Sequence, residues 1–339
     1  MINSKLKIFT LLLGLLWLQS CTDTIDNDDD GDGNWVRRSD YEGDTRSGAV
    51  SFTIDGFAYV GLGSDGDDYF KDFWRYDPER NFWQEVAEFP GEGRISAVAF
   101  SLEGKGYVGT GFNTDLQEEE LRDFWEYNPT EDTWTRVSDF GGSARFSAVA
   151  FTLNNKGYVG TGYDGSFLKD FWTYDPTTDT WEQTVSLFGS KRENAIAFVI
   201  NGIAYVGSGI NNNQFLYDFW AFDPENESWE DLALNDDDDD YDEFISAMER
   251  DDAVSFIIDD VAYIGTGRGS SSFLANVIAF DPLTNRWQDG FTFFEGTSRA
   301  AAVGFTLNNK GYIVTGRSGS SRHDDIWEFR PADEFDEFD

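Results

Sequence analysis

Cysteine occurs once in this 339-residue chain, at position 21, and histidine once, at position 323. One cysteine allows no disulfide within the chain, so stability has to come from packing. One histidine excludes a copper centre that needs two, and a Ser-His-Asp triad would have to use His323. Basic residues are also scarce. The 25 Lys and Arg face 64 Asp and Glu, for a net charge of −39. A field of that sign repels phosphate backbones, which excludes nucleic acid as a partner, and it disfavours adhesion to anionic lipid. Long apolar runs are missing too. Residues 8–18 (IFTLLLGLLWL) make a run of 11, against the roughly 20 that a membrane-spanning helix needs.

That run follows Lys5 and Lys7, so residues 1–20 read as a secretory signal. It ends in Leu18-Gln19-Ser20-Cys21, which resembles the bacterial lipobox. The resemblance implies that Cys21 is lipidated and becomes the mature N-terminus, with acyl chains as the membrane contact. Residues 21–33 then form an acidic tether, too polar to fold by itself. An acidic run in this place also resembles a surface-export signal, so outer-membrane anchoring with display on the cell surface is the expected location. Asp26, Asp28, Asp30 and Gly31 echo a calcium loop, but Arg37 stands where its bidentate Glu belongs.

What the chain has in abundance is repetition. Residues 156–181 (KGYVGTGYDGSFLKDFWTYDPTTDTW) return as close copies at 105–134 and 58–83. Six units open with an arginine followed by an apolar run: Arg46, Arg94, Arg145, Arg192, Arg250 and Arg299. Each run leads through a short turn, usually Gly- or Asn-bearing, into a second strand, which ends in Gly-x-Gly in five units. A variable loop leads to a third strand, an Asp-Pro type of turn reverses the chain, and Trp follows five residues after Pro78 and its counterparts. Six units of four short antiparallel strands predict an all-β, six-bladed propeller.

The ends predict how the ring closes. The last unit has no Trp after Pro331, while Trp35 stands 11 residues before Arg46, the spacing seen from Trp83 to Arg94. An N-terminal strand over residues 34–38 is therefore expected to complete the last blade and remove both free edges. The propeller then spans residues 34–331, and residues 332–339 are an acidic tail. These residues resemble the kelch repeat, which implies a kelch-type fold related to the central domain of galactose oxidase. The split glycines, as in Gly160-Thr161-Gly162, depart from that family's double glycine.

In kelch propellers the loops between second and third strands share a face with the connections between blades, and partners bind there. Variable loops on a fixed scaffold carry function. The binding candidates are accordingly Ser64, Phe112, Tyr163, Ile210, Arg268 and Arg317, each directly after its glycine motif, together with His323. Aromatics and two arginines on one rim suit a sugar or a carboxylate. The six repeat arginines are expected to be structural, bonding loop carbonyls or a neighbouring blade's carboxylate. Asp72, Asp123, Asp170 and Asp218 are their plausible partners. A ten-residue insertion before Arg250 supplies a weak calcium candidate in Asp236, Asp238, Asp240 and Asp242.

The expectation is a monomeric, non-enzymatic envelope lipoprotein without cofactor, binding a protein or glycan through its loop face. The alternative is a carbohydrate-active enzyme. Residues 58–64 (AYVGLGS) resemble the opening blade of the N-acetylneuraminate epimerases, and a sugar mutarotase needs only acid and base groups beside its substrate.

Overall fold

The computed structural model describes residues 31–232, 242–336 and 338. The leader, Cys21, most of the tether and the candidates Asp236, Asp238 and Asp240 lie outside the described residues. Among the described residues no helix is long and apolar enough to cross a membrane.

Each repeat forms one four-stranded antiparallel sheet. In the first, Val50–Ile54, Phe57–Gly61, Phe73–Asp77 and Phe82–Val86 pair in chain order. The innermost strands of the other five are Val98–Leu102, Val149–Leu153, Ile196–Ile200, Val254–Ile258 and Val303–Leu307. They neighbour one another in cyclic order, and the last returns to the first. Six blades thus surround a central channel of about 290 Å³, lined by small residues such as Ala97, Ala148 and Ala253. Burial alternates along every inner strand. Phe52, Phe100 and Phe151 pack between blades while the intervening small residues face the channel.

Closure follows the tryptophan spacing. Asn34–Arg37 pairs with Ile326–Arg330, placing Trp35 opposite Phe329. Trp35 is fully buried, its Nε1 donates to the Thr292 carbonyl at 3.3 Å, and its ring lies 5.0 Å from Phe294 and 4.7 Å from Phe329. Similar stitches join other blades: Trp134 Nε1 donates to Ala87 O at 2.8 Å and Trp181 Nε1 to Ser138 O at 3.2 Å.

The glycine ending each second strand has a specific partner. Gly160 lies in register with Phe171, and a Cβ there would come within 2.4 Å of the ring. Gly61, Gly109 and Gly207 face Phe73, Phe124 and Phe219 in the same way. Where Val277 replaces the phenylalanine, Gly265 has room, and in the last blade the pair is Val314 with Ile326. The missing glycine of that unit is thereby explained: the aromatic ring that required it is gone.

Two parts differ from the sequence reading. The loops after Gly209 and Gly316 contain two-residue hairpins, Ile210–Asn211 with Gln214–Phe215 and Arg317–Ser318 with Ser321–Arg322. The insertion before Arg250 ends in a helix, Asp242–Met248, which includes the calcium candidate Asp242.

Candidate functional site at the channel mouth

The repeat arginines are wholly buried, and their geometry is structural. Arg145 donates through Nη1 and Nη2 to both oxygens of Asp170, at 2.8 and 2.9 Å, and through Nη1 to the Thr161 carbonyl at 2.9 Å. Trp172 Nε1 holds the same carboxylate at 2.8 Å. Arg46–Asp72, Arg94–Asp123 and Arg299–Asp325 repeat the arrangement, while Arg192 reaches one oxygen of Asp218 through Nη2 at 2.7 Å. The carboxylate comes from the arginine's own blade, not from a neighbouring one. Asp325 escaped the sequence reading because Ile326 replaces the phenylalanine of the Asp-Phe-Trp pattern.

The fifth blade breaks this rule. Asn276 stands where the carboxylate should be, and Arg250 is held by carbonyls alone: Ala247 O, Thr266 O at 3.1 Å and Asn276 O at 3.4 Å. Ala247 belongs to the last turn of the inserted helix, whose unpaired carbonyls suit a cation. Burial without a carboxylate pushes the Arg250 guanidinium down to about 10. The acids of this blade stand instead at Asp251 and Asp252, at the mouth of the channel.

Two concentric rings form that mouth. The inner ring consists of the second residue after each arginine: Gly48, Ser96, Ser147, Asn194, Asp252 and Ala301, all with φ between 51° and 67°. The N–H of each donates to the carbonyl of the ring residue in the preceding blade, from Gly48 to Ala301 at 2.9 Å round to Ala301 to Asp252 at 3.0 Å. Six backbone hydrogen bonds, 2.9–3.3 Å long, close a cycle that joins every blade to the next. The outer ring is made of antiparallel pairs between the first residue after each arginine and the residue after each glycine motif: Ser47 with Ser64, Ile95 with Phe112, Phe146 with Tyr163, Glu193 with Ile210, Asp251 with Arg268 and Ala300 with Arg317.

The outer ring is divided. Its arc on the second and third blades is aromatic: Phe112 and Phe146 lie 4.7 Å apart, Phe146 and Tyr163 5.6 Å, and Tyr163 and Phe167 5.1 Å. The arc on the fourth to sixth blades is charged. Arg268 binds both oxygens of the wholly buried Asp251, at 3.0 and 2.5 Å, and Arg317 lies 3.7 Å from Asp252. Burial, reinforced by Asp252 and Asp251 and opposed by Arg268, pushes the Glu193 carboxyl up to about 7. Burial and Asp251 push Asp252 up to about 6 against the pull of Arg317 and Arg268.

The structure therefore brings the seven candidate residues onto one face but does not make them equivalent. Phe112, Tyr163, Arg268 and Arg317 are partly exposed on the rim, whereas Ser64 and Ile210 are only 8% and 6% exposed and do not face a ligand. His323 is half-buried, with Nε2 3.2 Å from Ser318 Oγ, and its carbonyl accepts from the Arg46 N–H across the blade junction. Burial and Arg299 push its imidazole down. The residues missed are the two after each arginine, Glu193, Asp251 and Asp252 above all. Their signal was present: in the repeated run those two letters vary (SG, IS, FS, EN, DD, AA), while the third is always alanine.

Three similarities bear on the family. The N-acetylneuraminate epimerase family model matches residues 42–173, and the Kelch-repeats domain of the KLHDC2/KLHL20/DRC7 family matches residues 142–290. The solved structure of YjhT superposes with a TM-score of 0.71, over 84% of this chain and 95% of that one, at 17% identity. The protein is a kelch-type β-propeller. No curated protein matches its sequence. In this kelch propeller the epimerase-like match covers the aromatic arc but stops short of Glu193, Asp251, Asp252, Arg268 and Arg317.

Proposed function

We propose that the kelch propeller is a binding protein that holds a glycan across its channel mouth. The observation that carries this reading is the division of one rim into an aromatic arc and a charged arc. Sugars present C–H faces that stack on aromatic rings, and hydroxyls and carboxylates that pair with guanidinium and carboxylate groups. A protein partner remains the other occupant such a rim accepts. The geometry also gives the reading an orientation. Asn34 pairs with Arg330, at the Asp-Pro end of the last blade and opposite the mouth. The described chain thus begins on the side away from the mouth, which is compatible with a lipid anchor on Cys21. Glycan-array screening of the purified full-length protein should give hits that Arg317→Ala and Phe146→Ala weaken. The absence of hits, with both variants indistinguishable from the parent in pull-downs, would sink it.

A second reading, sugar mutarotation, is favoured by one pair. Glu193 and Asp252 interact in one charged arc, with carboxyls raised to about 7 and about 6, in the range where a group both gives and accepts a proton. The likeness to the N-acetylneuraminate epimerase family model supports the same chemistry. Anomer exchange of a free sugar acid followed by NMR, with and without protein, separates the readings. An unchanged exchange rate removes the second.

A further inference from the structure

The inner ring has properties that the rim above it lacks. Its six N–H groups are consumed by the closed cycle, so the hydrogen-bond donors left to meet a ligand are those of side chains. Four consecutive ones are polar: Ser96, Ser147, Asn194 and Asp252. No side-chain hydrogen bond joins Ser96, Ser147 or Asn194 to any other described residue, and Asp252 has only its 3.7 Å ion pair with Arg317. The remaining two, Ala301 and Gly48, are small and apolar. All six border a cavity of about 200 Å³, which opens inward into the channel past Ala49, Ala97, Ala148, Ala195, Ala253 and Ala302. That is the space of roughly seven liquid waters.

The side chains of Ser96, Ser147 and Asn194 are partly exposed at the mouth, where they are free to bond a ligand or water. This cavity is polar along one arc and apolar along the other. A pyranose has the matching asymmetry, with hydroxyls at its edge and C–H groups on its face. We propose that the inner ring is a subsite for a single neutral pyranose. Its hydroxyl edge meets Ser96, Ser147, Asn194 and Asp252, and its C–H face rests against Ala301 and Gly48. The unit is neutral because the ring contains no basic group to pair with an anionic sugar, and its one acid, Asp252, already has Arg317 of the outer ring as counter-charge at 3.7 Å. The inference rests on the glycan-binding reading and sharpens it by naming the end unit of the glycan and the residues that hold it.

The test uses free D-glucose, D-galactose, D-mannose and N-acetyl-D-glucosamine as probes, by saturation-transfer NMR and calorimetry on the full-length protein. The key variant is Ser147→Gly with Asn194→Gly. It removes two polar groups yet keeps the left-handed backbone, since the first blade already carries glycine at this position. Asp252→Asn is a second, milder variant should the first fail to fold. One of the four sugars is expected to bind, and each variant to weaken it at least tenfold. If oligosaccharides bind and respond to Arg317→Ala while the ring variants leave affinity unchanged, the inner-ring subsite is wrong and the rim reading stands. If no sugar binds in any form, both readings fall.

Discussion

Arg250 and Asn276 occupy the places that hold an arginine and an aspartate in the other five blades, and there the buried guanidinium meets only carbonyl oxygens. The fifth blade has moved its negative charge from the third strand to the mouth, where Asp251 and Asp252 stand. The other five blades of the same chain show what the fold ordinarily uses, and the fifth departs from it beside the proposed binding mouth.

The contrast gives a paired prediction. Asp170→Asn strips the carboxylate from Arg145, which has no inserted helix to replace it, and should cost about 3 kcal/mol, as breaking a buried pair does. Asn276→Asp gives Arg250 its missing partner and should raise stability. Urea unfolding followed by tryptophan fluorescence measures both, and a loss of stability from Asn276→Asp would contradict the account.

The glycine and phenylalanine in register should behave as one unit. Gly160→Val alone drives a side chain into Phe171 and should cost about 3 kcal/mol through overpacking. Combined with Phe171→Ile it reproduces the Val314–Ile326 pair of the last blade. A double-mutant cycle should then show a favourable coupling of about 1–2 kcal/mol. Simple additivity would refute the pairing.

The backbone cycle at the mouth makes a third prediction. Ala301 sits at a φ of 51°, a conformation that disfavours a Cβ, and Gly48 holds the same place in the first blade at 67°. Ala301→Gly should stabilise by about 1 kcal/mol, as relief of left-handed strain allows. Gly48→Ala should destabilise, because its Cβ would lie 3.0 Å from that of Ile95. Opposite shifts in thermal unfolding are the expected result.

Stability should also depend on pH with two opposing signs. Glu193 and Asp252 are raised, so their contribution is present below the ordinary carboxylate range and is lost as pH climbs through about 6 to 7. At Asp123, Asp170 and Asp325 burial acts to raise the carboxyl, but the arginine partners outweigh it and hold it below its usual value of 3.8. Their contribution is present above that value and lost on acidification below it. Glu193→Gln should therefore flatten the decline in melting temperature between pH 5 and pH 8 while leaving the acid limb unchanged. Asp251, Asp252 and Arg268 are the charged groups that act on Glu193, and all three remain in that variant.

The sequence by itself determined the number of blades, the order of strands and the closure by Trp35. These follow from local rules that recur round the ring: a turn rich in Asn, Asp and Gly, a reversal at a Pro that Asp usually precedes, a tryptophan at fixed spacing. It also placed Phe112, Tyr163, Arg268 and Arg317 on one face, because the glycine motif fixes where each loop begins. The tertiary structure decided the rest. Ser64 and Ile210 turned out to be buried, although they pair with Ser47 and Glu193 just as the partly exposed rim residues pair with theirs. The mouth itself is made of residues two places after each arginine, held left-handed by hydrogen bonds from blade to blade. Serine and alanine do not announce such a conformation, since it is imposed by closing the ring. The charged arc exists for the same reason: only a closed propeller brings Glu193, Asp252 and Arg317, from three blades, to one opening.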